Sequence, residues 1–371
     1  MKIVFHIAHP SQFYIFKSII ANIGPQHEII VTYTYKDILA KLIDASELNS
    51  IAFPVESNKS YRSSSTVYQI LTLIDKERGL AKIVRKFRPH LIIGTSIVIT
   101  HVAKLFNAKS IILDEDDFDI IKLSARIGYP FVNHVLCPKV IRTGKWSKKA
   151  IGYNGYQKLI YLHPSVYQSN EDELSKLINL DEDYSILRFA KLTAHHDVGI
   201  KGLDISLVRE LMKRLDKIGK VYISSEIELP ADLRKHELRI PLNYIHTLLD
   251  NAKVLISDSQ SMSMEAAMLG TPSIRFNDFA GRISVLEELE KDYGLTFGIK
   301  TDYPEKLLEK TDELLHQKDL RVDFKHRRNK MLNDKIDVLR FVVWFINEYP
   351  SSAQKLEEEP TFVDNAFKTD I

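Results

Sequence analysis

The chain alternates short apolar runs with longer segments whose apolar residues recur at helical spacing. The run KIVFHIA at 2–8 predicts a buried strand, and residues 11–23 then place Phe13, Phe16 and Ile19 on one helical face. This alternation continues to residue 138 and resumes at residue 185, ending in a long helix predicted at 320–348. Strands that are apolar throughout and separated by helices indicate parallel sheets covered on both faces.

The alternation is interrupted at residues 139–184. Within them, GYNGYQKLIYLHP at 152–164 mixes glycine and proline with tyrosines, and we interpret it as the connection between two domains. The predicted domains are residues 1–160 and 161–349, each a Rossmann-like α/β domain, the second including the long terminal helix. Residues 350–371 are polar and lack periodicity, which predicts a mobile tail.

Composition limits the classes of function. The 371 residues carry a net charge of +2, which gives no reason to expect a nucleic-acid partner. The single cysteine, Cys137, excludes an internal disulfide framework and fits a reducing compartment. The N-terminus MKIVFHIAHPSQF lacks the features of a signal peptide, and no apolar stretch has the length of a membrane span. We therefore expect a cytoplasmic protein.

The stretch ISDSQSMSMEAAMLGTPSIRF at 256–276 places small polar residues between a predicted strand and a predicted helix. Ser259, Gln260 and Ser261 surround the helix start, where free N–H groups and the helix dipole suit a phosphate. Glu265, one turn further, is placed to accept hydrogen bonds from ribose hydroxyls. The alternative is an ordinary serine N-cap with a glutamate that favours the dipole.

Two further candidate places follow strands of the first domain. AHPSQF at 8–13 puts His9 and Ser11 just after the first strand, and imidazole is a natural acid or base near neutral pH. ILDEDDFD at 112–119 places several carboxylates close together at the end of a strand. They would repel one another unless they are solvated, bound to a cation or used for catalysis. Asp114 and Glu115 are the catalytic candidates in this acidic run.

A fourth place, LRFAKLTAHHDVGIKGL at 187–203, follows the first strand of the second domain. Arg188 and Lys191 are natural phosphate partners. His195 and His196 are candidates for contacting the same substrate. The Cys/His spacing typical of zinc does not occur here, so a metal site is not predicted.

Together these segments resemble the glycosyltransferase-B-like proteins, which include glycosyltransferases and the non-hydrolysing UDP-N-acetylglucosamine 2-epimerases. The strand, S-D-S and E-A-x-x-L-G-T-P resemble the nucleotide-sugar-binding segment of that superfamily. The resemblance implies two Rossmann-like parallel-sheet domains facing a cleft, with Glu265 on the ribose and Ser259, Gln260 and Ser261 on the diphosphate. Gln260-Ser261 replaces the Gly-Gly pair common in the superfamily.

Nearly the whole chain resembles one domain-of-unknown-function family of this superfamily, met in surface-polysaccharide gene sets. The matching segments are the His-Pro start, the acidic run after SIIL, YNGYQKLIYLHP, RFAKLTAHHDVGIKGL and EAAMLGTP. The epimerases carry an aspartate for acid–base chemistry where this chain has Thr95, whereas Glu115 falls roughly where they carry a glutamate. With one carboxylate missing, the sequence favours a glycosyltransferase.

The expected activity is transfer from a nucleotide-diphosphate sugar in surface polysaccharide or glycolipid biosynthesis. His9, Asp114 or Glu115 would act as the base, and the acceptor would be a sugar or a lipid-linked sugar. The nucleotide sugar is a co-substrate, and no tightly bound cofactor is expected. An epimerase-like enzyme and a non-catalytic nucleotide-sugar-binding protein are the alternatives. A homodimer and a peripheral membrane contact are left open.

Overall fold

Parallel pairing joins all named strands in the part of the chain that this computed structural model describes, residues 1–55, 66–189, 202–225 and 228–369. Central strands such as LIIG and VLIS are buried at every position, which confirms the predicted parallel α/β class. In chain order the strands are β1 (Lys2–Ile7), β2 (Glu28–Thr34), β3 (Ala52–Val55), β4 (Leu91–Gly94), β5 (Lys109–Leu113), β6 (His134–Pro138), β7 (Ala150–Tyr153), β8 (Tyr184–Phe189), β9 (Lys220–Ser225), β10 (Val254–Ser257), β11 (Ser273–Phe276) and β12 (Thr296–Ile299).

Helices connect these strands and then form a C-terminal helical segment. In chain order they are α1 (Phe13–Asn22), α2 (Asp37–Asp44), α3 (Thr66–Phe87), α4 (Val98–Leu105), α5 (Lys122–Gly128), α6 (Leu159–Leu162), α7 (Glu171–Ser175), α8 (Ile205–Leu215), α9 (Ile245–Asn251), α10 (Gln260–Leu269), α11 (Ser284–Lys291), α12 (Pro304–His316), α13 (Leu320–Asp334), α14 (Val338–Asn347), α15 (Ser351–Glu358) and α16 (Phe362–Ala366).

The chain divides into two units, each with its own sheet. Unit 1 comprises Met1–Tyr161 and Lys335–Thr369, and unit 2 comprises Leu162–Asp334. The seven strands of unit 1 lie in the order β3-β2-β1-β4-β5-β6-β7, and the five of unit 2 in the order β12-β11-β10-β8-β9. The order reverses between β1 and β4 in unit 1 and between β8 and β10 in unit 2. Ligands of open α/β sheets bind beyond the carboxyl ends of the strands at such reversals.

The C-terminal residues differ from the sequence expectation in two ways. The predicted helix 320–348 is two helices, because Asp337 caps α14 by accepting from Arg340 N at 2.9 Å. The predicted mobile tail at 350–371 is wrong, since α15 and α16 fold and bury Leu356 and Val363.

This C-terminal segment belongs to unit 1, whereas the sequence assigned its part up to residue 349 to the second domain. Ile336 N donates to Asn154 O at 2.9 Å, and Ile336 also forms a β-bridge with Lys368. A Cβ on Gly155 would lie 2.4 Å from Val338 Cγ2, so glycine is what lets the segment approach this loop. Apolar residues hidden among polar ones therefore bring the end of the chain back to the first sheet.

Helix α13 explains the basic run KHRRNK at 325–330. Lys325 Nζ donates to Leu269 O and Arg328 Nε donates to Met268 O, each at 2.6 Å. Both carbonyls belong to the last turn of α10, which ends at Gly270 in the left-handed conformation (φ 74°). The two cations thus satisfy the negative end of α10.

The packing of the C-terminal segment predicts that Phe367→Ala destabilises unit 1. Phe367 is 6% exposed, and its ring centroid lies 5.7 Å from that of Phe341 and 5.5 Å from that of Trp344. Loss of this buried ring should cost about 3–5 kcal/mol of unfolding free energy, measured by denaturant unfolding. Asn365→Ala, at an exposed position of α16, is the control and should change little. Equal stability of the two variants would mean that the segment does not pack.

Candidate functional site

The start of α10 carries backbone donors that have no acceptor in the parts of the chain that the structure describes. Ser259 N donates to Ser257 Oγ at 2.8 Å, and Ser259 Oγ accepts from Met262 N at 3.4 Å. The intervening N–H groups of Gln260 and Ser261 have no acceptor among the described residues. Because Lys325 and Arg328 cap the other end, α10 presents an open positive terminus at the carboxyl edge of the sheet.

Arg188 lies on the strand beside the one that leads into α10. It pairs in register with Ser257 of β10 and with Ser224 of β9, and its Nη1 donates to Ser224 Oγ at 3.1 Å. Asp258 N donates to Arg188 O at 3.4 Å, so the two strand ends are held together at the reversal of unit 2. Arg188 is therefore a cation on the strand adjacent to β10, with one guanidinium nitrogen directed to Ser224 of β9.

The other predicted residues of this loop, Lys191, His195 and His196, lie outside the described residues. Gly202, the first described residue after them, lies against Asp258. A Cβ on Gly202 would be 2.6 Å from Asp258 Oδ2, so no larger residue fits there unless that carboxylate moves. The loop therefore re-enters the described fold beside the start of α10.

Glu265 lies inside unit 2, where the sequence gives no sign of its partner. It is 9% exposed, and its Oε1 lies 3.7 Å from Nε2 of His246, which is 6% exposed. His246 belongs to α9, which packs beside α10. A buried carboxylate needs a charged or hydrogen-bonding partner, so His246 is a site residue that the sequence reasoning missed.

In unit 1, His9 and Ser11 form a closed local motif at the end of β1. His9 Nδ1 accepts from Ser11 N at 3.2 Å and lies 2.8 Å from Ser11 Oγ, while Gln12 Oε1 accepts from His9 N and Ala8 N. Burial lowers the pKa of His9 to about 4, and the charges of Lys36 and Lys158 add to this. The ring is therefore neutral at pH 7, with its proton on Nε2, where it acts as a hydrogen-bond donor.

The structure separates the acidic run into structural and available carboxylates. Asp117 is buried and accepts from Arg142 N at 2.8 Å, and the exposed Asp119 accepts from Arg142 Nη2 at 3.1 Å. Both therefore tie the loop to Arg142. Only Asp114 and Glu115 follow β5 directly at the carboxyl edge.

Asp114 has both carboxylate oxygens engaged. Its Oδ1 accepts from Asp116 N at 3.0 Å, and its Oδ2 accepts a short hydrogen bond from the hydroxyl of Tyr129. Burial, together with the charge of Asp116, raises the pKa of Asp114 to about 7, although the Tyr129 bond opposes this shift. Asp114 is thus a fixed group that titrates near neutral pH.

Glu115 is the more available carboxylate. Its Oε1 lies 3.5 Å from Nζ of Lys158, whose side chain is 4% exposed, and Gln157 donates a backbone hydrogen bond to Glu115. Its Oε2 is buried and has no hydrogen-bond partner in the described structure. Burial raises the pKa of Glu115, and Lys158 opposes the rise. One oxygen is anchored and the other is uncommitted, which suits proton transfer.

Gln157 and Lys158 escaped the sequence reasoning because QKLIY was interpreted as a connection. They come four and five residues after the end of β7, an edge strand of the first sheet that the sequence did not reveal. The sequence offered one indication of Lys158: the carboxylates of the acidic run need a nearby positive charge.

Within the described ranges, no helix is long and apolar enough to cross a bilayer, and no three His, Cys, Asp or Glu side chains are grouped as metal ligands.

Comparison with known proteins shows which solved structures have a similar fold. No family model and no curated protein sequence matches the chain. It is similar to the crystal structure of a UDP-N-acetylglucosamine 2-epimerase, with a TM-score of 0.62 and 13% identity over 100% of this chain and 98% of that chain. It is also similar to the UDP-GlcNAc 2-epimerase of Methanocaldococcus jannaschii in complex with UDP-GlcNAc and UDP. That comparison has a TM-score of 0.62 and 13% identity, over 86% of this chain and 94% of that chain.

A glycosyltransferase is also among the similar structures. The glycosyltransferase of kitacinnamycin gives a TM-score of 0.54 and 11% identity, over 89% of this chain and 94% of that chain. At such identities the likeness establishes the fold: two parallel-sheet α/β units of the type found in glycosyltransferase-B enzymes and 2-epimerases. This confirms the fold expected from the sequence.

Titration of Asp114 gives a testable pH dependence. Between the ordinary aspartate pKa and about 7, the folded state keeps a proton that the unfolded state has lost, so the unfolding free energy of the wild type falls as pH rises. Asp114→Asn lacks this loss. Its stability relative to the wild type should therefore increase with pH through this window and level off above it, as measured by denaturant unfolding at several pH values.

Tyr129→Phe is the matched comparison for that experiment. It removes the hydroxyl that lowers the pKa of Asp114, so the window should extend to higher pH. A difference between Asp114→Asn and the wild type that is independent of pH would contradict the raised pKa.

Proposed function

We propose that the protein is a glycosyltransferase that uses a nucleotide-diphosphate sugar, in surface polysaccharide or glycolipid biosynthesis. The observation that carries the proposal is the open start of α10, with two N–H groups that have no acceptor among the described residues, at the carboxyl edge of β10 and with Arg188 on the adjacent strand. A diphosphate is the anion that such a site suits best. The shared fold with enzymes whose structures contain UDP-GlcNAc supports the same assignment.

Unit 2 is proposed to bind the donor. The N–H groups of Gln260 and Ser261, with the hydroxyls of Ser259 and Ser261, hold the diphosphate, and Glu265 accepts from the ribose hydroxyls. Arg188 stabilises the negative charge that develops on the leaving diphosphate. Lys191, His195 and His196 keep their predicted roles as substrate contacts.

Unit 1 is proposed to supply the base. Oε2 of Glu115 takes the proton of the acceptor hydroxyl while the acceptor oxygen forms a bond to the anomeric carbon of the donor sugar. The bond from that carbon to the diphosphate breaks at the same centre, and its electron pair leaves with the nucleoside diphosphate. Asp114, whose oxygens are both engaged, orients the loop and titrates nearby, and His9 donates from Nε2 to a substrate oxygen with Ser11 fixing its ring.

A 2-epimerase-like reaction is the second candidate, and one observation favours it. Asp114 and Glu115 are adjacent carboxyl groups whose pKa values are both raised by burial. Such a pair could remove and return a proton even though Thr95 stands where the epimerases carry an aspartate. Because both oxygens of Asp114 are engaged, the transferase is the better-supported reaction.

Product analysis distinguishes the candidates. The protein is incubated with a panel of nucleotide sugars, with and without sugar or lipid-linked acceptors, and products are followed by NMR and mass spectrometry. Acceptor-dependent release of nucleoside diphosphate with a glycosylated product supports the transferase. Inversion at C2 of the sugar without an acceptor supports the epimerase. Binding without any product would leave a non-catalytic nucleotide-sugar-binding protein and overturn both reactions.

Glu265→Ala should weaken nucleotide binding by about 1–3 kcal/mol, the scale of a lost hydrogen bond to a charged group. Isothermal titration with UDP measures the effect. Glu309→Ala, an exposed glutamate of α12, is the control and should bind like the wild type. If Glu265→Ala and the control bind UDP equally, Glu265 does not contact the ribose.

Glu115→Gln should bind the nucleotide sugar normally but turn over about 10²–10⁴-fold more slowly, because the amide cannot accept the proton. Single-turnover rates and binding constants measured on the same preparation separate the two effects. Asp119→Asn, an exposed carboxylate of the same run, should keep its turnover. Unchanged turnover in Glu115→Gln would remove Glu115 from the chemistry.

A further inference from the structure

The first turn of α10 has an unusual set of buried polar atoms on one side. Both Oε1 and Nε2 of Gln260 are buried without a hydrogen-bond partner among the described residues, and so is Oγ of Ser263, one turn further. Ser263 is fully buried, whereas the Gln260 residue as a whole is half-buried. Unpartnered buried polar atoms are costly in a folded protein and call for an explanation.

The position of these atoms relative to Glu265 indicates what they face. Residues of an α-helix are separated by about 100° each, so Gln260 and Glu265 lie about 140° apart around the axis of α10. Ser263 lies about 60° from Gln260 on the side away from Glu265. The anion site at the helix end therefore has Glu265 on one flank and the Gln260–Ser263 pair on the other.

A nucleotide sugar has the same order of parts. Its diphosphate links the ribose on one side to the transferred sugar on the other. With the diphosphate at the helix start and the ribose on the Glu265 flank, the transferred sugar falls on the Gln260 flank. This step rests on the proposed function.

The chemistry of the carboxamide favours a hydroxyl over a phosphate as its partner. Phosphate oxygens only accept hydrogen bonds, so a phosphate would satisfy Nε2 and leave Oε1 unpaired. A hydroxyl both donates and accepts, and adjacent hydroxyls of a sugar would satisfy both amide atoms. We propose that Gln260, assisted by Ser263, recognises hydroxyl groups of the transferred sugar and so contributes to donor specificity.

Gln260→Met tests this role, because methionine matches glutamine in size and helix propensity and lacks the amide. Without ligand, the variant should unfold about 2–4 °C higher than the wild type, since an unpartnered buried amide has been removed. Its affinity for UDP should stay within about twofold of wild type. Its affinity for the better-bound of UDP-glucose and UDP-N-acetylglucosamine should fall about 5–30-fold, the loss expected from a removed hydrogen-bond pair.

Ser263→Ala is a second, smaller variant that should show the same pattern more weakly. Equal weakening of UDP and UDP-sugar binding by Gln260→Met would make Gln260 a diphosphate contact and overturn the proposal. Unchanged binding of both ligands would also overturn it, since the amide would then make no contact with the sugar. If the wild type binds neither UDP nor a UDP-sugar, the proposed function itself has failed.

Discussion

Two backbone N–H groups at the first turn of α10, those of Gln260 and Ser261, have no acceptor within the described parts of the chain, and the account of unit 2 depends on them. Parallel strands that alternate with helices bring every such helix start to one edge of a sheet. At the start of α10 the cap residue Ser259 accepts only from Met262 N, whereas His9 and Gln12 form a reciprocal capping box at the turn after β1. The start of α10 stays open while α13 neutralises its far end.

In unit 1, the carboxyl ends of the parallel strands carry carboxylates instead of an open helix start, because Asp114 and Glu115 follow β5. Burial raises the pKa values of Asp114 and Glu115, but their partners divide their roles. Tyr129 and a backbone amide occupy both oxygens of Asp114, whereas Lys158 anchors only one oxygen of Glu115. A carboxylate with one buried, uncommitted oxygen is suited to proton transfer, which is why Glu115 is proposed as the base.

The alternation of apolar runs predicted most strands and helices, because it follows directly from burial on both faces of a parallel sheet. It failed at the C-terminus, where scattered residues such as Phe367 pack on partners far away in sequence. The candidate residues after strands were also predictable, because position after a strand is local information. Their partners were not: His246 and Lys158 meet Glu265 and Glu115 only through the folding of separate elements.

The most direct test of the central claim compares UDP with uridine by amide NMR. The account predicts that UDP binds at least tenfold more tightly than uridine and shifts the amide resonances of Gln260 and Ser261 most strongly, because only UDP carries the diphosphate that these groups hold. If uridine binds as tightly as UDP, or if those two amides do not respond, the start of α10 is not the anion site.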